Sequence, residues 1–326
     1  MTKQWLPLTV LLVAAVVASP ARAKNSGLIF VSNEKSDSLT VLDPTTFQVV
    51  KDIKVSRRPR DMHFNTDHTR LYVACRDDNV IDIIDVAKLE VVQEIATGPN
   101  PETFAIDEMQ RRVYVPNKKG ASLSIIDIDQ NIIVKEVPTS AEPEGAFVSE
   151  DRKTVYMSSL VDDTVDAIDV DEGYLVQRVA VGTHPRQIAV TPDGRELWVT
   201  AELSANVYII NRTSFSVDGK IEFLPLGTRK TDVSPLSLII TKDGKTAYVA
   251  LREAGQVAVV DVVTRKIQCY IPMGRGLWGI ALSRDEARLY VTNDLTDSVM
   301  IIDVNKRQAT ISIPTGRVPK GVIVDD

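Results

Sequence analysis

The chain has 326 residues, with 38 Lys and Arg against 44 Asp and Glu, a formal net charge of −6, and two cysteines. An acidic balance argues against a general nucleic-acid binder, which needs a basic face. Two cysteines are too few for a disulfide-built scaffold, and no Cys/His spacing suggests zinc or an attached haem.

The chain opens on a segment that does not read as fold. Lys3 gives a short positive region, Leu6 to Ala18 is mostly apolar, and Ala21-Arg22-Ala23 has the small-x-small form of a cleavage site. The apolar run falls short of the roughly 20 residues that a membrane span needs. Residues 1–23 are therefore expected to be a secretory signal peptide, and residues 24–326 a single exported domain in a bacterial periplasm. Losing Lys3 and Arg22 takes the formal charge to −8.

From Leu28 onward the chain keeps a ruler. Two apolar residues followed by Asp, once Asn, end at Asp43, Asp85, Asp127, Asp169, Asn211, Asp261 and Asp303, with spacings of 42, 42, 42, 42, 50 and 42. An aromatic followed by Val or Met keeps the same spacings at Phe30, Tyr72, Tyr114, Tyr156, Trp198, Tyr248 and Tyr290. Prolines keep the beat at Pro59, Pro101, Pro143, Pro185, Pro235 and Pro319, with Leu277 in the sixth place. A strand-rich repeat of about 40–45 residues is the signature of a propeller blade.

The fifth repeat shows how one blade forms. Pro185 to Val190 is an innermost strand A, and Thr191-Pro192-Asp193-Gly194 is a hairpin turn. Glu196 to Thr200, Ala205 to Ile210 and Val217 to Phe223 follow as strands B, C and D. Apolar-rich stretches such as Val80 to Ile84 fit strands buried on both faces. The ruler Asp is scaffold, ending strand C and accepting hydrogen bonds in the C–D turn. The chain begins on a strand B, Leu28 to Ser32, and ends on a strand A, Lys320 to Val324. Pairing these two closes the ring and removes its open edge. The expectation is all-β: a seven-bladed β-propeller of four-stranded antiparallel blades, closed by its N- and C-terminal strands. Cys75 and Cys269 fall in distant blades, beyond the reach of a disulfide, so both are expected free.

Variation between blades is then the functional signal. The residue after each proline position stands at the mouth of the central channel: Arg60, Glu102, Glu144, Arg186, Leu236, Trp278 and Lys320. Arg57, Arg58, His184, Arg275 and Arg317 lie near, so an acidic chain gathers positive charge at one place. Two readings stand. The ring binds an anionic ligand or an acidic partner patch, with Trp278 as a stacking surface. Alternatively, Arg60 with Glu102 and Glu144 with Arg186 pair as a structural ring. Eight extra residues within 222–233 read as a lid, a docking loop or a tolerated surface insertion. His63, His68 and His184 fall in different layers and read as packing or surface residues, with no triad or metal cluster.

Tyr290-Val291-Thr292-Asn293 matches letter for letter the motif of the YVTN family of β-propellers. Arg58-Pro59-Arg60, Pro101-Glu102, Glu142-Pro143-Glu144-Gly145 and Thr241-Lys242-Asp243-Gly244-Lys245-Thr246-Ala247 further resemble the propeller proteins associated with PQQ-dependent catabolism. That resemblance implies a periplasmic accessory protein beside a quinoprotein dehydrogenase or a transport-system component. It implies a context and no reaction. The reading is a non-catalytic binding protein whose cofactors are unknown. Arg60, Arg186 and Lys320 bind carboxylates, Trp278 stacks, and Glu102 and Glu144 orient the arginines. PQQ, a tricarboxylate, suits a cationic rim. The alternatives are a lactonase-like metal-dependent hydrolase and a pure interaction scaffold.

Overall fold

A computed structural model describes residues 25–326 except Gln110; the expected export segment lies outside them. Seven four-stranded antiparallel sheets stand in a ring. The fifth blade has strands Pro185–Val190, Glu196–Ala201, Asn206–Asn211 and Ser216–Glu222, each within a residue of its expected position. Its strand B is buried over its whole length after the first residue, and its strand D is mostly exposed. Burial of both faces of the inner strands arises because a hydrophobic cluster fills each seam between neighbouring blades. Trp198, Val207 and Ile209 of the fifth blade, for example, pack with Leu238, Val249 and Val260 of the sixth.

The closing blade joins strand A, Pro319–Asp325, to strand B, Leu28–Asn33, with Ile29 opposite Val324 and Val31 opposite Val322. The junction is clasped by the buried Asp325 carboxylate. It accepts hydrogen bonds from the Ser26 amide (2.7 Å) and hydroxyl (2.6 Å), and lies 2.6 Å from His68 Nδ1 in the second blade.

All seven ruler residues accept backbone hydrogen bonds in their C–D turns. Asp43 takes the amides of Thr45 and Thr46, and Asn211 those of Thr213 and Ser214. Asp85, Asp127, Asp169, Asp261 and Asp303 do the same. Cys75 and Cys269 are free thiols.

One blade departs from the pattern. In the third, strand A is reduced to Ala105–Asp107 plus an isolated bridge from Pro101 to Asn117. Its partner strand, Arg112–Asn117, carries Pro116, which has no N–H to give the ladder. Glu102 and Thr103 lie between that bridge and the shortened strand, at the channel.

Candidate functional site

The residue before each proline position is left-handed in all seven blades: Arg58, Asn100, Glu142, His184, Ser234, Gly276 and Val318, with φ between +49° and +97°. For the non-glycine residues this conformation costs free energy and must be held by its surroundings. Asp37, Asn79, Asp163 and Asp297 of the preceding B–C loops accept the amides of Arg58, Asn100, His184 and Val318. The turn ejects the next strand toward the axis, so that the residue after the proline enters the channel.

A hydroxyl then fixes that residue. Thr292 of the Tyr-Val-Thr-Asn stretch accepts from the Gly279 amide (2.7 Å) in its own blade and donates to the Lys320 carbonyl (2.7 Å) of the next. Ser32, Ser158 and Thr200 bridge the same way to the carbonyls of Arg60, Arg186 and Leu236. In the third blade Pro116 stands where the hydroxyl would be, and Thr103 donates to the Glu144 carbonyl instead. These contacts leave no room at the channel wall. A Cβ on Gly145 or Gly279 would run into the carbonyl oxygen of Arg186 or Lys320.

All seven positions singled out in the sequence line one cavity of about 200 Å³. Its deeper wall carries His63, Thr103, Gln187 and Ser237 beside Ile188, Ile280 and Val322. His63, read from the sequence as packing or surface, therefore faces the channel. Its Nε2 lies 2.9 Å from Asp61 Oδ2. Burial pushes its pKa down, but Asp61 and the Phe104 carbonyl outweigh this and raise it.

The seven do not stand alone. A second ring, four residues past each ruler aromatic, comprises Glu34, Arg76, Lys118, Leu160, Glu202, Arg252 and Asp294. In six blades its amide donates to the carbonyl of the left-handed residue, which ties the two rings together. The same ruler predicts this ring, but sequence reasoning followed only the position after the proline.

Together the rings make a belt of ion pairs. Arg60 lies 3.1 Å from Glu34 and 3.2 Å from Glu102; Lys118 lies 3.0 Å from Glu144; Arg186 lies 2.6 Å from both Glu144 and Glu202. Asp294 takes Arg252 at 2.6 Å and Lys320 at 2.7 Å. The second ring is itself balanced, Glu34, Glu202 and Asp294 against Arg76, Lys118 and Arg252, so the belt keeps a small positive excess, but each cation at the mouth now has a carboxylate partner. Arg57, Arg58, His184 and Arg275 are also paired, with Asp78, Glu34, Glu202 and Glu253. Neither they nor Arg317 line the cavity.

Burial and pairing oppose each other in this belt. Burial raises the Glu144 pKa, but Arg186 and Lys118 outweigh it and bring it down to about 2. Glu34 is lowered in the same way, chiefly by Arg60 against its own burial. For Lys320, burial and the nearby Arg60 charge outweigh Asp294 and Glu34, and its pKa falls to about 8.

Trp278 is the centre of the belt. Lys320 Nζ lies 3.3 Å from the ring centroid, and the guanidinium carbons of Arg252, Arg60 and Arg186 lie at 5.0, 5.4 and 5.6 Å. Cations from four blades converge on one indole, each within cation–π range. Leu277 replaces proline just before it, and Gly276 and Gly279 flank the pair. The extra residues before the sixth blade are anchored by buried Phe223 and Val233 and carry the short 3-10 helix Lys230–Asp232. None of them lines the cavity.

The fold is widely shared. A hydrazine synthase structure from Kuenenia stuttgartiensis superposes with a TM-score of 0.76 at 21% identity, covering 90% of this chain and 99% of that one. A putative 6-phosphogluconolactonase from Bacteroides fragilis gives 0.77 at 15% identity, covering 94% and 100%. The dihydro-haem d1 dehydrogenase NirN gives 0.70 at 16%, covering 95% and 78%. At these identities the likeness is one of fold. No curated protein matches the sequence. The family model of the YNCE-like β-propellers matches residues 21–281, most of the chain; with its seven closed blades, this protein belongs to the YNCE-like β-propeller family.

Proposed function

We propose that the protein binds rather than catalyses, and that its ligand is a small organic carboxylate held at the channel mouth. One observation carries this reading: the seven positions that follow the prolines, which differ from blade to blade, converge on a single cavity, and Arg60 among them retains unused donor capacity. Arg60 lines it with a side chain 9% exposed, yet its Nε–H finds no acceptor among the described residues. A buried guanidinium donor left unmatched is costly unless a ligand accepts it. Trp278 beside it offers an apolar, planar wall.

The near balance of charge narrows the ligand. The belt already pairs most of its cations, so a tricarboxylate such as PQQ brings charges that find no free counterion. A mono- or dicarboxylate fits better. The accessory role in periplasmic PQQ-dependent alcohol oxidation, beside a dehydrogenase or a transport component, rests on the motif resemblance alone. The test is thermal unfolding of the full chain with a panel of small organic acids and PQQ. A ligand at ~100 times its Kd adds about 2.7 kcal/mol. A rise with small carboxylates that is absent in Arg60→Gln supports the reading. Melting that no acid changes overturns it.

A further inference from the structure

We infer that Lys320 is a reversible carbonyl-capturing amine and that the site takes small oxo-acids, with the carboxylate held by guanidinium N–H groups of the belt. The inference rests on the binding reading above and specifies its ligand.

Lys320 is the surplus cation of the belt. Its two carboxylates are each held by arginines already: Asp294 by Arg252 at 2.6 Å, and Glu34 by Arg58 and by Arg60 at 3.1 Å. Lys320 Nζ shares Asp294 at 2.7 Å and reaches Glu34 at 3.6 Å. It also crowds Trp278 together with three guanidiniums. Arginine does not give up its proton in a protein, whereas lysine does when desolvated. The repulsion among these cations is therefore relieved at Lys320, whose side chain is 7% exposed and lines the cavity. The fall of its pKa to about 8 agrees with this geometry. Desolvation of this kind is how lysines become nucleophiles toward carbonyls.

The step balances without an oxidant. The ammonium first gives up a proton, for which Asp294 Oδ2 is the nearest acceptor. The neutral amine then attacks the carbonyl carbon and a C–N bond forms. The carbonyl oxygen leaves as water, carrying both remaining amine hydrogens, and an imine remains. Hydrolysis reverses it. Thr292 holds the Lys320 carbonyl, so the amine stems from fixed backbone.

The test uses the full chain with glyoxylate and cyanoborohydride at pH 8, followed by peptide mapping. At that pH Lys320 has a roughly hundredfold larger neutral fraction than an exposed lysine of ordinary pKa. The expected result is one carboxymethyl group on Lys320 ahead of all other lysines, suppressed by excess acetate and absent in Lys320→Arg, which keeps the charge. Labelling spread over exposed lysines, with Lys320 not ahead, overturns the inference. In that case, melting still raised by glyoxylate leaves the carboxylate-binding reading standing. If neither glyoxylate nor any carboxylate raises it, both readings fall. The primary readout is made on the unaltered chain, so it does not depend on the variant folding.

Discussion

Replacing Glu144 by Gln keeps the shape of the belt and removes one charge from its middle. Arg186 at 2.6 Å and Lys118 at 3.0 Å would then face a neutral amide in a site where the side chain is 7% exposed. The lowering of the Glu144 pKa from 4.5 to about 2 corresponds to ~3 kcal/mol of native stability. That agrees with the ~3–5 kcal/mol lost when one partner of a buried pair is removed. The sign follows from the depressed pKa: the contribution is complete above about pH 4.5 and is lost as pH falls toward about 2. Urea unfolding of wild type and Glu144→Gln at pH 7 and pH 3 measures both parts. The variant is expected to be ~3 kcal/mol less stable at pH 7, with roughly three fifths of that difference gone at pH 3. A variant within ~0.5 kcal/mol of wild type at pH 7, or a difference that does not change with acid, would refute the reasoning.

Three further outcomes follow from the scaffold. Thr292→Val leaves the Gly279 amide and the Lys320 carbonyl without their bridge, and is expected to cost ~1–3 kcal/mol, read as a lower urea midpoint at unchanged m-value. Gly145→Ala forces the Arg186 carbonyl to move, so it should lose several kcal/mol or fail to accumulate as folded protein, whereas Gly227→Ala, which meets no neighbour within 4 Å and carries only the ~1–2 kcal/mol backbone strain of its φ of +82°, should still fold. Deleting residues 320–326 removes the closing strand and the Asp325 clasp; melting unchanged by that deletion would show that the ring does not depend on them.

The fold was readable because a propeller repeats its constraints. Each ruler Asp caps its turn, each aromatic sits in strand B, and the proline restarts strand A, so seven copies expose a pattern that one copy would hide. Deviations were readable for the same reason: Leu277 and Trp278 break the beat where four cations meet. The failures lie where function depends on neighbours in space. The channel positions were found because they follow a proline, but Glu34, Glu202 and Asp294 pair with them from B–C loops, so cations that look free in the sequence are already matched in the fold. The shortening of strand A in the third blade, where Phe104 is not paired with Val115, has no signal within its own segment. Within the insertion, Phe223 and Val233 are buried while Leu224 and Leu226 are exposed, a distinction its composition does not reveal.

The central claim, that the channel mouth binds a small carboxylate, can be read from the indole within it. Trp198 is fully buried in a seam between blades, whereas Trp278 lines the cavity. Titrating the protein without residues 1–23, which carry Trp5, with small carboxylates while following tryptophan emission should give a saturable change that vanishes in Trp278→Phe, with the Trp198 signal unmoved. Emission that does not respond to any carboxylate, in protein shown to be folded by its melting transition, would contradict the account.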